Sequence, residues 1–331
     1  MDRPRHGVHA GGVLTRDALD AAAALIRPFV PPTPHYAWPL LAARAGCDVW
    51  VKHENHTPVG AFKLRGGLTY LDWLLRQGPR PAGLITATRG NHGQSIAFAA
   101  ARLGLQVTIA VPRGNAVEKN AAMRAWGGAV VEHGHDFEAA RQWAIATAAA
   151  RGLHMVPSFH PALMLGVATC ALEFFNAVPD MHTLYVPIGQ GSGMCAAIAV
   201  RDLLGLSTEI VGVVSAHADA YAQSFEQGVL VATDSADTIA DGVACRVPVP
   251  AALEVIRAGA ARIVRVTDTE VRTAICAYHT DTHNTAEGAG AVPLAALLQE
   301  RARMAGRRVG LILCGGNIDR AVLADILAGE D

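Results

Sequence analysis

Charge is scarce in this chain. Only 17% of its 331 residues are charged and the formal net charge is -1, so nothing in the composition attracts nucleic acid or an anionic membrane surface. Cysteine is sparse and scattered, at 47, 170, 195, 245, 276 and 314. No C-x-x-C spacing occurs, which argues against a zinc ribbon and a disulfide scaffold and leaves reduced thiols in a cytoplasmic enzyme as the plain reading. No apolar run behind residues 1–6 is long enough for a signal peptide or a membrane span. Fixed-period repeats and low-complexity linkers are absent too. His53-Glu54-Asn55-His56 is not H-E-x-x-H, and its spacing does not put both histidines on one helix face. What the chain has in plenty is apolar residue: 51% is hydrophobic, enough for a large core and against disorder.

The apolar residues are organised in alternating short strands and helices. Strands are expected near 48–53, 83–88, 106–112, 128–133, 153–158, 182–187, 209–215, 262–266 and 308–314, with helices between most of them. One of these, beginning at Asp268, is expected to take Asp268 as its N-cap, and another is expected over 292–304. Residues 218–246 are the least regular. The strands are nearly continuous in apolar character, as strands buried on both faces of a parallel sheet are. Repeated strand–helix units imply right-handed crossovers and an α/β fold with an open, doubly wound sheet.

Four glycine-bearing segments stand out against this frame. Thr57-Pro58-Val59-Gly60-Ala61-Phe62-Lys63-Leu64-Arg65-Gly66-Gly67 joins a strand to a helix. It holds one lysine between apolar Phe62 and Leu64, where loss of solvation favours the neutral, nucleophilic amine that a Schiff-base lysine needs; taken alone, the stretch fits a snorkelling surface lysine better. Gly66 and Gly67 leave room for a close approach to the backbone. Thr88-Arg89-Gly90-Asn91-His92-Gly93-Gln94 opens a helix and offers backbone N–H groups to an anion such as a carboxylate. An ordinary helix cap by Thr88 or Asn91 is the bland alternative. Gly189-Gln190-Gly191-Ser192-Gly193-Met194 lies between a strand and a helix, where backbone N–H groups make an anion site; a packing turn is the equally common alternative for such a loop alone. No lysine follows it, so it is not a Walker A loop, and it departs from G-x-G-x-x-G. Cys314-Gly315-Gly316-Asn317 ends the last strand.

In that order, the four motifs resemble those of the fold-type II enzymes that use pyridoxal 5'-phosphate (PLP), and most closely the serine/threonine dehydratases. The resemblance runs from about residue 34 to 319. It implies a tryptophan synthase β-like architecture of two open, twisted, mostly parallel sheets flanked by helices. A small domain (83–152) would be inserted in a discontinuous large PLP-binding domain (1–82 and 153–331). It also implies that Lys63 carries PLP, with Phe62 against the ring and Asn91 at the 3-hydroxyl. Gly189, Gln190, Gly191, Ser192, Gly193 and Met194 would hold the phosphate and Cys314 the pyridine nitrogen, while Thr88, Arg89, Gly90, Asn91 and His92 would hold the substrate. A serine usually stands at the place of Cys314, and a thiol is the weaker hydrogen-bonding group. Glu287, in Ala286-Glu287-Gly288-Ala289-Gly290, matches a glutamate near the cofactor. Where some relatives carry acidic cation ligands, this chain has Val214 and Ala220, with Asp219 one place out of register, so no metal is expected.

The implied activity is β-elimination of water from a β-hydroxy α-amino acid, threonine- or serine-like or an aryl-serine such as phenylserine, giving a 2-oxo acid and ammonia. The alternatives are a β-replacement enzyme of the cysteine synthase kind, a dehydratase of hydroxyectoine breakdown acting on a hydroxylated diamino acid, and a non-enzymatic amino-acid- or nucleotide-sensing module. A homodimer in amino-acid catabolism is implied by the resemblance alone. Arg89 matches the position where racemases of the family place a serine, which implies elimination without racemisation.

Overall fold

A computed structural model describes residues 14–329; the reading of the first six residues lies outside them. Among the described residues the strands are β1 His35–Ala37, β2 Asp48–His53, β3 Leu84–Ala87, β4 Val107–Val111, β5 Ala129–Glu132, β6 His154–Met155, β7 Thr183–Pro187, β8 Glu209–Ser215, β9 Arg262–Val266 and β10 Arg308–Leu313. They form a six-stranded sheet, β1-β2-β10-β7-β8-β9, and a four-stranded sheet, β5-β4-β3-β6. Every pairing is parallel except β1 with β2. β3 is buried along its whole length and β8 at all but its first residue, as strands covered by helices on both faces must be. This is the α/β fold of two mostly parallel sheets that the motifs imply.

Local chemistry explains where expected element boundaries shifted. The helix Asp268–Thr282 is capped by Thr267, not Asp268: the Thr267 hydroxyl accepts from the Glu270 N–H and the Glu270 carboxylate accepts in return, a capping box. The helix expected from 292 starts earlier, as Gly288–Gln299. Its first turn is made of small residues that let it pack beneath the sheet, and Pro293 lies further on, inside the helix, where it cannot donate to the Ala289 carbonyl. The strand expected over 153–158 pairs only at His154–Met155. In the irregular stretch, Ala220–Gln227 is helical and Asp241–Val243 forms a 3-10 turn.

The helix Lys63–Arg76 joins the two halves of the molecule. It packs against Pro161–Ala177 on one side and against Asn91–Arg102, which belongs to the smaller sheet, on the other. Gly66 and Gly67 serve this packing. A Cβ at Gly66 would meet the Leu163 carbonyl oxygen at 2.7 Å, and one at Gly67 would run into Ser95. The close approach read from these glycines is therefore helix against helix. Beneath the helix, Arg65 and Glu54 are fully buried and paired at 2.8 Å, and Glu173 bridges Arg65 and Lys52 at 2.8 and 2.6 Å. Such a network leaves few alternative placements for the turn that starts at Lys63, because a broken pair would strand a buried charge.

Candidate active site

The lysine loop is tied down before Lys63 is reached. The Thr57 hydroxyl accepts from the Ala61 N–H and donates to the Ala61 carbonyl. Ala61 bridges Gly315, and the Phe62 N–H donates to the Cys314 carbonyl at 2.9 Å. Lys63 begins the helix, with its Nζ 3.3 Å from Ser192 Oγ and 4.8 Å from the centre of the Phe62 ring. Burial brings its ammonium down to about 8, against an opposite pull from Cys314 and Glu287. A lysine in this state supplies neutral amine near neutral pH. The Cys314 thiol is pushed well above its usual range, first by burial and then by Glu287, so it is a neutral side chain.

The glycine-rich turn faces the same space. The N–H groups of Gly191, Ser192, Gly193 and Met194 have no acceptor among the described residues. They converge at the start of the Ser192–Leu203 helix, where the helix dipole favours an anion. Gly191 has φ 94, and a Cβ there would lie 2.7 Å from that of Ala252, so only glycine fits without strain. Gly193 differs: a Cβ would sit 3.7–3.9 Å from Val186 and Phe62, in open contact distance beside the site. Gly189 and Gln190 line the pocket around Lys63. Met194 is wholly buried in the core.

The third segment opens the Asn91–Arg102 helix. Thr88 Oγ1 accepts from the Gly90 and Gly93 N–H groups, which makes Thr88 the cap and leaves the Asn91 and His92 N–H groups without an acceptor. Asn91 donates through Nδ2 to Glu287 at 2.5 Å and accepts through Oδ1 from Asn317 at 2.9 Å. His92 is buried, its Nε2 has no partner, and burial followed by the nearby Lys63 brings it down to about 3. Its imidazole is therefore neutral at working pH. Phe62, Lys63, Cys314 and the whole turn from Thr88 to His92 line one pocket.

A neutralisable, half-buried amine, an aromatic ring and a neutral thiol on one pocket, with a cradle of unsatisfied N–H groups beside it, fit an aldehyde cofactor with a phosphate arm, as PLP is. A family model described as pyridoxal-phosphate dependent enzyme matches residues 26–315. The chain belongs to that family. It is 36% identical over 282 residues to the L-threonine ammonia-lyase of Geobacter sulfurreducens, covering 83% of this chain and 69% of that protein. It is 29% identical over 316 residues to the L-threo-3-hydroxyaspartate ammonia-lyase of Saccharomyces cerevisiae, covering 95% and 96%. Among solved structures, maize serine racemase superposes with a TM-score of 0.87 at 26% identity, covering 95% of this chain and 97% of that one.

For a fold-type II PLP enzyme, the sequence reading left out one part of the site. Lys119 reaches into the pocket from the Val117–Ala125 helix. Its Nζ lies 2.7 Å from Asp241 and 3.0 Å from Glu287. Burial acts to lower this ammonium, but Asp241 and Glu287 outweigh it and hold the charge on. Glu287 is itself raised by burial, with Lys119 opposing and Asp241 adding to the rise. The chain Asn317–Asn91–Glu287–Lys119–Asp241 thus runs along the pocket wall and connects elements of both sheets. In sequence, Glu118-Lys119-Asn120 reads as a solvated helix face; only the partners that the fold brings, 122 and 168 residues downstream, show otherwise.

Proposed function

We propose that the protein is a PLP-dependent dehydratase that eliminates water from a β-hydroxy α-amino acid and releases a 2-oxo acid and ammonia. The observation that carries this reading is the half-buried Lys63 amine, poised near neutrality, beside an anion cradle and a carboxylate-sized set of free N–H groups. Lys63 would hold the cofactor covalently, the 189–194 turn its phosphate, Phe62 a ring face, Asn91 the 3-hydroxyl and Cys314 the pyridine nitrogen. Bound there, PLP supplies an electron-withdrawing ring that accepts the charge left when an α-proton is removed.

The chain's own groups do the rest. The Asn91 and His92 N–H groups take the substrate α-carboxylate at the start of a helix. The Lys63 amine, freed when substrate enters, removes the α-proton and holds it on Nζ beside Ser192 Oγ. That proton then goes to the departing β-hydroxyl, which leaves as water. The released enamine takes a water back and yields ammonia and the 2-oxo acid. The neutral His92 adds no charge that would compete for the carboxylate. Cys314 donates at most weakly, a setting suited to elimination.

The same reading takes residues 83–152 as the small domain inserted between 1–82 and 153–331. It takes the enzyme as a cytoplasmic homodimer of amino-acid catabolism. The six free cysteines and the dehydratase likeness support this, and no described helix is long and apolar enough to cross a membrane. The test is 2-oxo acid release from threonine, serine, phenylserine, 3-hydroxyaspartate and a hydroxylated diamino acid. Release from none of them, by protein carrying PLP, would contradict the proposal.

A further inference from the structure

Arg89 stands apart from every other cation in the site. It lines both the pocket that holds Lys63 and the larger cavity, of about 680 Å³, that adjoins it. The other two arginines of that cavity already have carboxylates: Arg141 pairs with Glu138 at 2.7 Å and Arg246 with Asp136 at 2.8 Å. Lys119 is held by Asp241 and Glu287. Arg89 has no hydrogen-bond or ion-pair partner among the described residues, and its Nε is shut off from water without an acceptor. A guanidinium cannot shed its charge to relieve this. A buried donor left unpaired is costly, and an acceptor entering the cavity relieves that cost.

The substrate α-carboxylate does not need Arg89. Two backbone N–H groups, those of Asn91 and His92, stand free at the helix start for it. A second anionic group therefore has its own receptor. Resting on the dehydratase reading above, we propose that Arg89 is a specificity-determining residue that pairs with a carboxylate on the substrate side chain. The preferred substrate class is then the β-hydroxy α-amino dicarboxylic acids. The planar fork of Arg89 matches two carboxylate oxygens at once, and the adjoining cavity leaves space for the group beyond the β-carbon.

The test uses the holoenzyme and amino acids that lack a β-hydroxyl, so that binding is read apart from elimination. Calorimetry gives the ratio of the dissociation constants of L-alanine and L-aspartate for the wild type, Arg89→Ala and Arg89→Lys. The wild type is expected to favour aspartate by about 30-fold, a charge-assisted pair's worth. Arg89→Ala should bring the ratio near one, and Arg89→Lys, which keeps charge but not the fork, should retain part of it. The ratio of kcat/KM for 3-hydroxyaspartate over threonine should fall by the same factor. Equal weakening toward both amino acids would show that Arg89 holds the α-carboxylate and would overturn the proposal, as would a wild-type preference for alanine. If no β-hydroxy amino acid yields a 2-oxo acid while the aspartate preference still collapses in Arg89→Ala, it is the dehydratase reading that fails.

Discussion

Replacing Lys119 by methionine removes a charge but keeps most of the side chain, so the change isolates electrostatics from packing. In the folded protein this ammonium lies 2.7 and 2.8 Å from the two Asp241 oxygens and 3.0 Å from Glu287. Its side chain is 6% exposed and that of Glu287 2%. Removing one member of a buried pair costs about 3–5 kcal/mol, because the remaining charge is stranded. Here two carboxylates are left facing each other. Glu287 is already raised above its unfolded value, with Lys119 the main opposing influence; without Lys119 it rises further. A carboxyl raised in the folded state contributes stability below its unfolded pKa and loses it as pH rises through the folded pKa. The Lys119→Met protein should therefore lie nearest the wild type at about pH 5 and fall furthest behind by about pH 8. Urea unfolding of the two proteins at both pH values, at constant ionic strength, measures the gap, with the slope m as a check on the unfolded state. Adding Glu287→Gln should recover part of the loss at pH 8, as expected of coupled neighbours. A gap under about 1 kcal/mol at pH 8, or one equal at both pH values, would refute the reasoning.

Gly193→Ala should keep the unfolding midpoint of the wild type, since its Cβ has room, yet weaken PLP retention measured by dialysis; Gly191→Ala should impair both, given its φ of 94 and the contact with Ala252. Unchanged retention in Gly193→Ala would remove the 189–194 turn from the phosphate site. Cys314→Ser should keep kcat/KM within about tenfold, since the hydrogen bond at stake is worth about 1 kcal/mol, while shifting the absorbance maximum of the bound cofactor; an unmoved spectrum would place Cys314 away from the ring. Chiral chromatography of residual substrate after partial turnover should find only the starting enantiomer, because Arg89 stands where racemases of the family place a proton-trading serine and a guanidinium has no hydroxyl to take that part. The opposite enantiomer forming at a rate near that of the 2-oxo acid would contradict that role.

Much of this site could be read from sequence because its motifs are local. Lys63, the Thr88–His92 turn, the 189–194 turn and Cys314 each sit where a strand hands over to a helix or loop. There glycines and a flanking cap leave a trace in adjacent residues. Cofactor cradles of this kind depend on backbone conformation, and backbone conformation is written in neighbours. The Lys119–Asp241 pair, its tie to Glu287 and the Glu54–Arg65–Glu173–Lys52 network left no such trace. Their members come from distant segments, and a charged residue on an amphipathic helix looks the same whether its partner is water or a buried carboxylate. The cap expected at Asp268 went astray, and the close approach expected at Gly66 and Gly67 was found but with no hint of its partner, for a related reason. A glycine shows that something lies close but not what, and two potential caps side by side, Thr267 and Asp268, are decided by which of them has extended backbone.

If the pocket is a PLP site, Lys63 is the residue that carries the cofactor. Borohydride treatment of the purified protein loaded with PLP, followed by proteolysis and mass spectrometry, reads the modified lysine directly. The reduced cofactor is expected on the peptide containing Lys63, and Lys63→Ala should lose both the label and 2-oxo acid formation while keeping its fold by circular dichroism. Label found on Lys52 or Lys119 instead, or a Lys63→Ala protein that still forms 2-oxo acid at the wild-type rate, would contradict that assignment.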